Sequence, residues 1–367
     1  MDKERRLILV AAAVVVAAAV ATAIYAPSQT TLPIPEPGQG GNNTHSGVQV
    51  IAENLEVPWS IDIADDGRIF FTERPGRIRI IENGTLLDPA AFINVAQNGE
   101  SGLLGLALHP DFAENHLLYI YHTYSNGSNV FNKVLMLTER NNQIIESRVI
   151  IDGIPAANGN DGGRIMFGPD GKLYIATGDA RQPELAQNAN SLAGKILRLN
   201  PDGTIPDDNP FEGSPVYSYG HRNIQGLAWH PTTGEMYASE HGQEGNDEVN
   251  IIKPGANYGW PIEGCDGERF EKPVLCFNPA IAPAGIVIPA HDTLGYQYDV
   301  LLAALRAQQL RLIDSEGIES NVLTGFGRIR DVVEASDGSL YVATSNRDGR
   351  AIPEQGDDKI LRIISPQ

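Results

Sequence analysis

The feature that most constrains the fold is a strand–turn–strand pattern that recurs along the chain from Val48 onward. Each copy has a short apolar strand, a tight turn and a second strand rich in aromatic and β-branched residues, which is typical of β-structure. The clearest copies read IDIADDGRIFFTE, IMFGPDGKLYIATGD, LAWHPTTGEMYASEHG and VVEASDGSLYVATS. Their turn glycines, Gly67, Gly171, Gly234 and Gly338, lie 104, 63 and 104 residues apart. These gaps fit a unit of roughly 50 to 60 residues if one weaker copy lies in each long gap.

Two weaker copies lie in the long gaps and bring the number of units to six. LALHPDFAENHLLYIYH falls in the first gap, and LGYQYDVLLAALRAQQLRLI, residues 294–313, falls in the second. Apart from the alanine-rich residues 301–310, no window keeps the 3.6-residue apolar period of a helix. Repeats of this kind are typical of propeller blades. We therefore predict an all-β fold, a six-bladed β-propeller over residues 48–367, whose last strand pair, residues 358–364, joins the first blade to close the ring.

Residues 1–26 form a separate, apolar segment. A basic start, MDKERR, is followed by twenty uncharged residues, 7–26. This run is long enough for a transmembrane helix, and the positive charges before it predict that the rest of the chain lies outside. A cleaved signal peptide is the alternative, because ATA at residues 21–23 resembles a small-x-small cleavage site. Either interpretation predicts an extracytoplasmic domain, membrane-anchored by the N-terminal helix or secreted, behind a Pro/Gly-rich linker over residues 27–47.

The net charge limits the class of binding partner, and the cysteine content bears on the cellular compartment. The formal net charge of −19 argues against a nucleic-acid partner, because phosphate binding needs clustered Lys and Arg. The chain has two cysteines, Cys265 and Cys276, on the side of the apolar segment that is predicted to be exported. In an oxidising compartment such a pair is expected to form one disulfide bond that closes a short loop.

The segment from Tyr217 to Pro261 has the composition least typical of an ordinary protein core. It contains a basic and amide cluster within GHRNIQ, then a strand pattern, and then an acidic loop broken by glycines, EHGQEGNDE. Arginine binds planar carboxylate groups through paired hydrogen bonds, and hard cations such as Ca²⁺ take carboxylate and carbonyl oxygens. A fixed cation beside carbonyl-rich loops therefore predicts a site for an anionic ligand together with a hard metal ion.

Several motifs, in one order, carry a family resemblance: VPWSIDIADDGRIFFTERPGRI, ESGLLGLALHPDF, GGRIMFGPDGKLYIATGDA, GKILRLNPDGTIPDDNPF, SYGHRN, EHG…DEVN, NYGWP and GRIRDV. Over about residues 48–365 the chain resembles the soluble quinoprotein aldose sugar dehydrogenases of the glucose/sorbosone dehydrogenase family. The resemblance implies a six-bladed β-propeller that holds pyrroloquinoline quinone (PQQ) and Ca²⁺. It also implies that a small-molecule sugar, an aldose or a related polyol, is oxidised by hydride transfer to the quinone.

The resemblance also assigns roles to individual residues. The family's cofactor-binding positions correspond here to Glu100, Arg222, Asn223, His241, Arg306, Arg328 and Arg330. The Ca²⁺ that touches the quinone would bind two successive backbone carbonyls, those of Gly242 and Gln243. Glu248 and Tyr258 match positions that hold a second, structural Ca²⁺. Independently of the family, the two arginines of GRIRD alternate along a predicted strand and would therefore face the same side.

One position departs from the family pattern. The family usually has a histidine shortly before its GGR motif, as the general base that takes the sugar hydroxyl proton, and Asn160 stands there in this chain. Asp179, which orients that histidine in the family, is retained. An amide cannot take a proton near neutral pH, so the catalytic pair predicted by the alignment, Asn160 and Asp179, lacks a base.

Several interpretations of this departure are open. Asp161, one residue along the chain, could supply a carboxylate base. His241 or another nearby group could substitute, or the reaction could run slowly on solvent. Alternatively, the protein is a non-catalytic ligand- or cofactor-binding propeller. A Ca²⁺-dependent hydrolase of the lactonase type is a further alternative, and it would need a central metal ion held by carboxylates.

Overall fold

The computed structural model describes residues 47–365. The predicted N-terminal anchor or signal peptide, residues 1–26, lies outside this part of the chain, as does the predicted linker up to residue 46. Across residues 47–365, no helix is long and apolar enough to cross a membrane. Apart from two short helical turns, the regular secondary structure of the described residues is all β-strand, as the repeats predicted.

Six antiparallel sheets form the blades of a propeller, and every blade has at least four strands. Blade 1 contains β2 (Pro58–Ile63), β3 (Ile69–Glu73), β4 (Arg77–Glu82), β5 (Thr85–Leu86) and β6 (Ala91–Phe92). Blade 2 contains β7 (Leu103–Leu108), β8 (Leu117–Ser125), β9 (Val130–Arg140) and β10 (Gln143–Pro155). Blade 3 contains β11 (Gly162–Phe167), β12 (Leu173–Thr177), β13 (Lys195–Leu199) and β14 (Val216–Tyr219).

The second half of the ring repeats this arrangement. Blade 4 contains β15 (Ile224–Trp229), β16 (Met236–Glu240), β17 (Asp247–Ile252) and β18 (Leu275–Phe277). Blade 5 contains β19 (Pro283–Val287), β20 (Val300–Ala304), β21 (Gln309–Ile313) and β22 (Glu319–Leu323). Blade 6 contains β23 (Ile329–Glu334), β24 (Leu340–Thr344), β25 (Ile360–Ile363) and β1 (Val48–Ala52). Short helical turns, α1 (Phe112–Asn115) and a 3₁₀ turn (Pro183–Gln187), interrupt the loops.

The first strand of each blade lines the central channel. Each of these inner strands, β2, β7, β11, β15, β19 and β23, packs against the inner strands of both neighbouring blades, and β2 against β23 completes the ring. The approach is close enough to require glycine at some positions. A Cβ atom on Gly105 would collide with the carbonyl oxygen of Gly163, and one on Gly226 with that of Ala284. The small inner residues therefore let six blades converge on one axis.

The ring is closed by the first strand of the chain, not by the last. In blade 6, β1 pairs with β25, so that Val48 lies opposite Ile363 and Val50 opposite Leu361. The prediction that the last strands join the first blade was therefore wrong. The first strand of the chain joins the last blade instead. The reason is that β1 precedes the first repeat and supplies the outermost strand of the final blade. Both ends of the described chain are thus held in one sheet.

The alanine-rich residues 301–310, the one stretch compatible with a helix, are a strand–turn–strand. Ala303 in β20 packs in the cluster with Val332 of blade 6, and Ala304 packs in the cluster with Ala228 of blade 4. A strand buried on both faces is apolar at successive positions and loses the alternation that marks a half-exposed strand. This explains why the pattern was ambiguous in the sequence.

The loop between β17 and β18 carries the disulfide bond. Cys265 and Cys276 are joined, with their Cα atoms 6.1 Å apart, which confirms the predicted pairing. The same loop contains Trp260 and Pro261, which line a cavity described below. The bond therefore restrains a loop that contributes to the candidate site.

Candidate functional site

A cavity lies at the end of the channel where the inner strands begin. Part of its wall comes from residues just before inner strands, such as Glu100 before β7 and Arg328 before β23. The rest comes from residues that follow second strands, such as Arg74 after β3 and His241 after β16. We call it the mouth cavity. Its position on six convergent loops is the usual place for a ligand in a propeller.

Positive side chains outnumber negative ones in the mouth cavity. Its charged lining consists of Arg74, Arg328, Arg330 and Arg350 together with the acids Glu100, Asp161 and Asp348. Burial raises the pKa of Asp161 to about 7, so this residue contributes only part of a negative charge near neutral pH. In a chain with a net charge of −19, this local excess of cations suits an anionic ligand.

Arg328 and Arg330 both reach Asp348, but they are unequally paired. Arg328 donates from Nε to Asp348 Oδ2 at 2.9 Å and from Nη1 to the Leu305 carbonyl at 3.2 Å. Arg330 lies 3.5 Å from the same carboxylate oxygen, and it donates at 2.6 Å to the uncharged Gln225 Oε1. Burial lowers the pKa of Arg330 to about 10, as expected for a cation removed from water without a close counter-charge. Arg330 therefore lacks a close counter-charge and could bind a further anion.

Two buried nitrogen atoms at the mouth cavity, Arg74 Nε and His241 Nε2, have no hydrogen-bond partner among the described residues. The His241 ring is oriented by Asn223, whose Oδ1 accepts from the Gly162 amide at 3.0 Å. Asn223 Nδ2 then faces His241 Nδ1, 3.5 Å away. Because an amide nitrogen only donates, Nδ1 accepts and Nε2 carries the proton. Both unpaired atoms are donors, and a buried oxygen-rich ligand would satisfy them.

Asn160 and Asp179 meet beside the mouth cavity. Asn160 has a φ of 58°, a left-handed conformation that Asn tolerates, and its Nδ2 donates to Asp179 Oδ1 at 2.9 Å. The same oxygen accepts the Arg181 amide at 2.8 Å, and Oδ2 accepts Trp260 Nε1 at 2.9 Å. With all three donors in place, the buried Asp179 carboxylate fixes the orientation of both Asn160 and Trp260.

Glu100 connects Asn160 with Arg350 across the mouth cavity. Glu100 Oε2 accepts the backbone amide of Asn160 at 3.2 Å, and Oε1 forms an ion pair with Arg350 Nη2. The Glu100 side chain is 25% exposed, whereas that of Asp348 is 2% exposed. Glu100 is thus a carboxylate that a ligand can reach from outside.

A second cavity adjoins the first at the segment that follows β16. We call it the loop cavity. Arg222 lies in its wall, with Nη1 donating to the His241 carbonyl at 3.0 Å and the guanidinium 5.4 Å from the centre of the Trp260 ring. The Arg222 amide donates to Glu240, whose other oxygen lies 3.0 Å from His221 Nδ1. These contacts fix the GHRN turn against the loop that follows β16.

The loop between β16 and β17 lines the loop cavity with Gly242 and Gln243. A Cβ atom on Gly242 would collide with the carbonyls of Gly245 and Asn246, so the loop requires glycine there. The Gly242 amide donates to Asp247 Oδ1 at 2.9 Å. In the described part of the chain, no hydrogen bond reaches the carbonyl oxygen of Gly242 or of Gln243. Two adjacent unpaired carbonyls are the oxygen donors that a hard cation takes.

Glu248 and Tyr258 line the loop cavity as well. Burial, reinforced by the neighbouring Glu240, raises the pKa of Glu248 to about 8. The Tyr258 hydroxyl is already engaged, because it donates to the Ile251 carbonyl at 2.7 Å and accepts the Lys253 amide at 2.8 Å. Any metal ligand from Tyr258 would therefore be its backbone carbonyl.

The structure gathers most of the predicted site residues around the two cavities. The group at or beside the mouth cavity is Glu100, Asn160, Asp179, Asn223, His241, Arg328 and Arg330. The group at the loop cavity is Arg222, Gly242, Gln243, Glu248 and Tyr258. Arg306 lies apart, since its side chain is exposed and it belongs to the lining of neither cavity. Its role in cofactor binding stays a prediction.

Four residues of the site were missed in the sequence: Arg74, Trp260, Asp348 and Arg350. Arg74 carried a usable signal, because it directly follows the second strand of blade 1 as His241 follows the second strand of blade 4. Residues that directly follow the second strand of a blade lie at the same end of the channel. Asp348 and Arg350 lie further into a loop, where strand register no longer predicts direction.

Comparison with known proteins identifies the family. The family model for glucose/sorbosone dehydrogenase matches residues 55–353. The chain belongs to the glucose/sorbosone dehydrogenase family. This family member is 30% identical over 339 residues to an aldose sugar dehydrogenase of Escherichia coli K12, an alignment that covers 83% of this chain and 91% of that protein. It is 35% identical over 249 residues to quinoprotein glucose dehydrogenase B of Acinetobacter calcoaceticus, covering 58% of this chain and 52% of that protein.

A solved structure gives the same assignment. The PQQ-bound form of an aldose sugar dehydrogenase from Streptomyces coelicolor matches this glucose/sorbosone dehydrogenase family member with a TM-score of 0.78 and 36% identity, over 89% of this chain and 99% of that one. The family predicted from the ordered motifs is therefore confirmed. These relatives are sugar dehydrogenases, which places the chain in a family of oxidoreductases.

Proposed function

We propose that this protein is a PQQ- and Ca²⁺-dependent dehydrogenase that oxidises aldose sugars or related polyols. The observation that carries the proposal is the mouth cavity, where buried cations and unpaired donors are concentrated in an otherwise acidic chain. A planar cofactor with several acid groups would neutralise those cations and supply acceptors to those donors.

The residues present fit PQQ. Its acid groups would be held by Arg74, Arg328 and Arg330, and its remaining oxygens would accept from His241 Nε2 and from the Arg222–Asn223 turn. Ca²⁺ would take the unpaired carbonyls of Gly242 and Gln243. When bound, this pair supplies a two-electron acceptor whose developing negative charge is stabilised by the cation.

The surrounding side chains would orient the sugar. Asn160 Nδ2 is held by Asp179, which leaves Asn160 Oδ1 to accept a hydrogen bond from a sugar hydroxyl. Trp260, fixed by the same carboxylate, offers an apolar face to the sugar ring. Both groups position the substrate, and neither can take a proton from it.

The two alternative functions are less well supported. A non-catalytic binding propeller is not favoured, because the named relatives are dehydrogenases. A lactonase-type hydrolase would need a metal ion held by a carboxylate cluster. Across residues 47–365, no group of three or more His, Cys, Asp or Glu side chains is arranged to hold a metal ion.

Export from the cytoplasm is part of the same proposal. The Cys265–Cys276 disulfide bond is typical of proteins in oxidising compartments. Residues 1–26 would direct export and, if retained, would attach the domain to the membrane.

The proposal is tested by reconstituting the full chain with PQQ and Ca²⁺ and following dye-linked oxidation of a panel of aldoses. Turnover is expected to require both additions, and chelation of Ca²⁺ should reduce it at least about tenfold, because the charge stabilisation at the quinone is lost. A lactone panel with Ca²⁺ alone serves as the control. Bound PQQ without sugar oxidation would favour the binding propeller, and lactone hydrolysis without PQQ would favour the hydrolase.

A further inference from the structure

Oxidation of a sugar hydroxyl needs a proton acceptor, and Asn160 cannot be that acceptor. The O–H proton has to leave as the carbon atom gives up its hydride, and a positioned base makes this step faster. The acceptor must then be another group that lines the mouth cavity. The titratable groups in that lining with possible acceptor atoms are Glu100, Asp161, His241 and Asp348.

Asp348 and Asp161 line the cavity but are both almost completely buried. The side chain of Asp348 is 2% exposed and is occupied by Arg328 at 2.8 Å. Asp161 is 2% exposed, and its Oδ1 accepts Asn132 Nδ2 at 3.3 Å and the Ala157 amide at 3.0 Å. Asn132 belongs to β9, in the outer half of blade 2. Asp161 Oδ2 has no hydrogen-bond partner among the described residues, but at 2% exposure this carboxylate is far less accessible to a sugar than Glu100, whose side chain is 25% exposed.

His241 presents a donor to the cavity. Its Nδ1 accepts from Asn223 Nδ2, and that amide is itself oriented by the Gly162 backbone, so the ring proton lies on Nε2. Nε2 is the buried atom that faces the ligand without a partner. An N–H at this position can bind an oxygen atom of the cofactor, but it cannot accept the sugar proton.

Glu100 is the remaining carboxylate, and its geometry suits the task. Its side chain is 25% exposed, so a sugar at the mouth can reach it. Oε2 lies 3.2 Å from the Asn160 amide, so the carboxylate and the hydroxyl-orienting Asn160 side chain belong to the same corner of the cavity. Each carboxylate oxygen has one hydrogen-bond donor, which leaves a further lone pair free on each.

We propose that Glu100 is the catalytic base of this dehydrogenase. The O–H bond of the sugar breaks and its proton passes to a Glu100 carboxylate oxygen. PQQ, when bound, would supply the two-electron acceptor for the hydride that leaves C1, and the C1–O bond would become a carbonyl. The inference rests on the proposed function. In this chain the proton acceptor is then Glu100 and not the residue at position 160, and Asn160 positions the substrate.

The electrostatic surroundings keep this carboxylate ionised. The groups that act on it are His241, Arg350, Arg330, Arg74, Asp161 and the Asn160 amide. Burial alone would raise the pKa of Glu100, but His241 in its protonated form, Arg350, the Asn160 amide and Arg330 together outweigh burial and lower the pKa below its ordinary value of 4.5. A base acts when deprotonated, so Glu100 is competent throughout the neutral range.

The pH dependence of kcat/KM separates Glu100 from an imidazole base. The wild type should keep a constant kcat/KM from about pH 8 to pH 5 and lose it only as the pH falls through the pKa of Glu100. Arg350→Gln removes a positive charge beside the carboxylate, so it should raise that pKa and move the fall in activity to higher pH. Because Asp161 in the same cavity has a pKa of about 7, the profile is also recorded for Asp161→Asn. An inflection near pH 6.5, the region of a histidine, that remains in Asp161→Asn would overturn the proposal.

Substitution of the base gives the second test. Glu100→Gln should lower kcat/KM by about 10²–10⁴-fold, while PQQ affinity, read from absorption titration, stays equal or tightens because a negative charge is removed. Glu100→Gln combined with Asn160→His should recover activity with a new inflection near pH 6.5. The matched control is Glu114→Gln, at an exposed glutamate in α1 at the opposite end of the channel, which should change neither quantity.

A readout independent of turnover completes the test. In the chain without cofactor, NMR titration of the Glu carboxyl carbons should show one signal, absent from Glu100→Gln, with a pKa below 4.5. A Glu100 signal that titrates near neutral pH would contradict the proposal. If the wild type oxidises sugars and Glu100→Gln retains full kcat/KM, the base assignment fails while the dehydrogenase function stands. If the wild type binds no PQQ, both fail.

Discussion

Replacing Arg330 by glutamine is expected to raise the dissociation constant for PQQ by about 10²-fold or more, equivalent to about 3 kcal/mol of binding free energy. Arg330 is 5% exposed, and its closest partner is the uncharged Gln225. Its contact with Asp348 is 3.5 Å long. A buried cation that is so weakly paired is stabilised most by a bound anion. Replacing Arg330 should therefore lower the affinity for PQQ and have little effect on the cofactor-free protein.

The same substitution should leave the cofactor-free protein as stable as before, or more stable. Removing a buried and weakly paired charge removes its desolvation penalty. Absorption titration with PQQ measures the affinity, and thermal unfolding without PQQ measures the stability. Arg311→Gln is the control, because that arginine makes an ion pair with the exposed Glu319 away from the cavity. Equal PQQ affinities for Arg330→Gln and Arg311→Gln would contradict the assignment of Arg330.

Replacing Asp331 by leucine should lower the free energy of unfolding by about 3–5 kcal/mol. Asp331 is 1% exposed and accepts two hydrogen bonds from Arg164, at 2.9 and 3.0 Å, and one from the Ile61 amide at 2.8 Å. It therefore links blade 6 with blades 3 and 1 across the channel. The substitution would leave Arg164 buried without its counter-charge.

Chemical denaturation of the cofactor-free chain measures this effect. The double variant Asp331→Leu with Arg164→Met should regain much of the lost stability, because it removes the stranded cation. Glu319→Gln breaks an exposed ion pair and should cost only about 0–1 kcal/mol. A loss for Asp331→Leu no larger than for Glu319→Gln would show that the pair does not hold the ring together.

The six blades were predictable because four copies repeat a turn glycine between two apolar strands and their spacing leaves room for the two weaker copies. Ring closure was not predictable, because β1 has no turn signal of its own and its partner β25 lies at the other end of the sequence. The alanine-rich β20 was ambiguous because both of its faces are buried. Local patterns thus predicted the strands, while long-range pairing decided their order.

The candidate site was only partly predictable for a similar reason. Arg328 and Arg330 could be placed together because they alternate along one strand. The contact between Glu100 and Arg350 joins residues 250 positions apart, and it exists only because the closed ring brings their two loops to the same end of the channel. The exchange of histidine for Asn160 was visible in the sequence, and Glu100 was predicted as a cofactor-binding position, but the contact between Glu100 and Asn160 could be recognised only from the structure.

Anaerobic titration of the PQQ- and Ca²⁺-loaded chain with an aldose, in the absence of any dye, is the most direct test of the central claim. The absorption of the bound quinone should be lost in proportion to the sugar added, with one equivalent of lactone formed per cofactor reduced. That result would show that the mouth cavity holds PQQ and passes it the electron pair of the sugar. A bound quinone whose spectrum stays unchanged across the aldose panel would contradict the account.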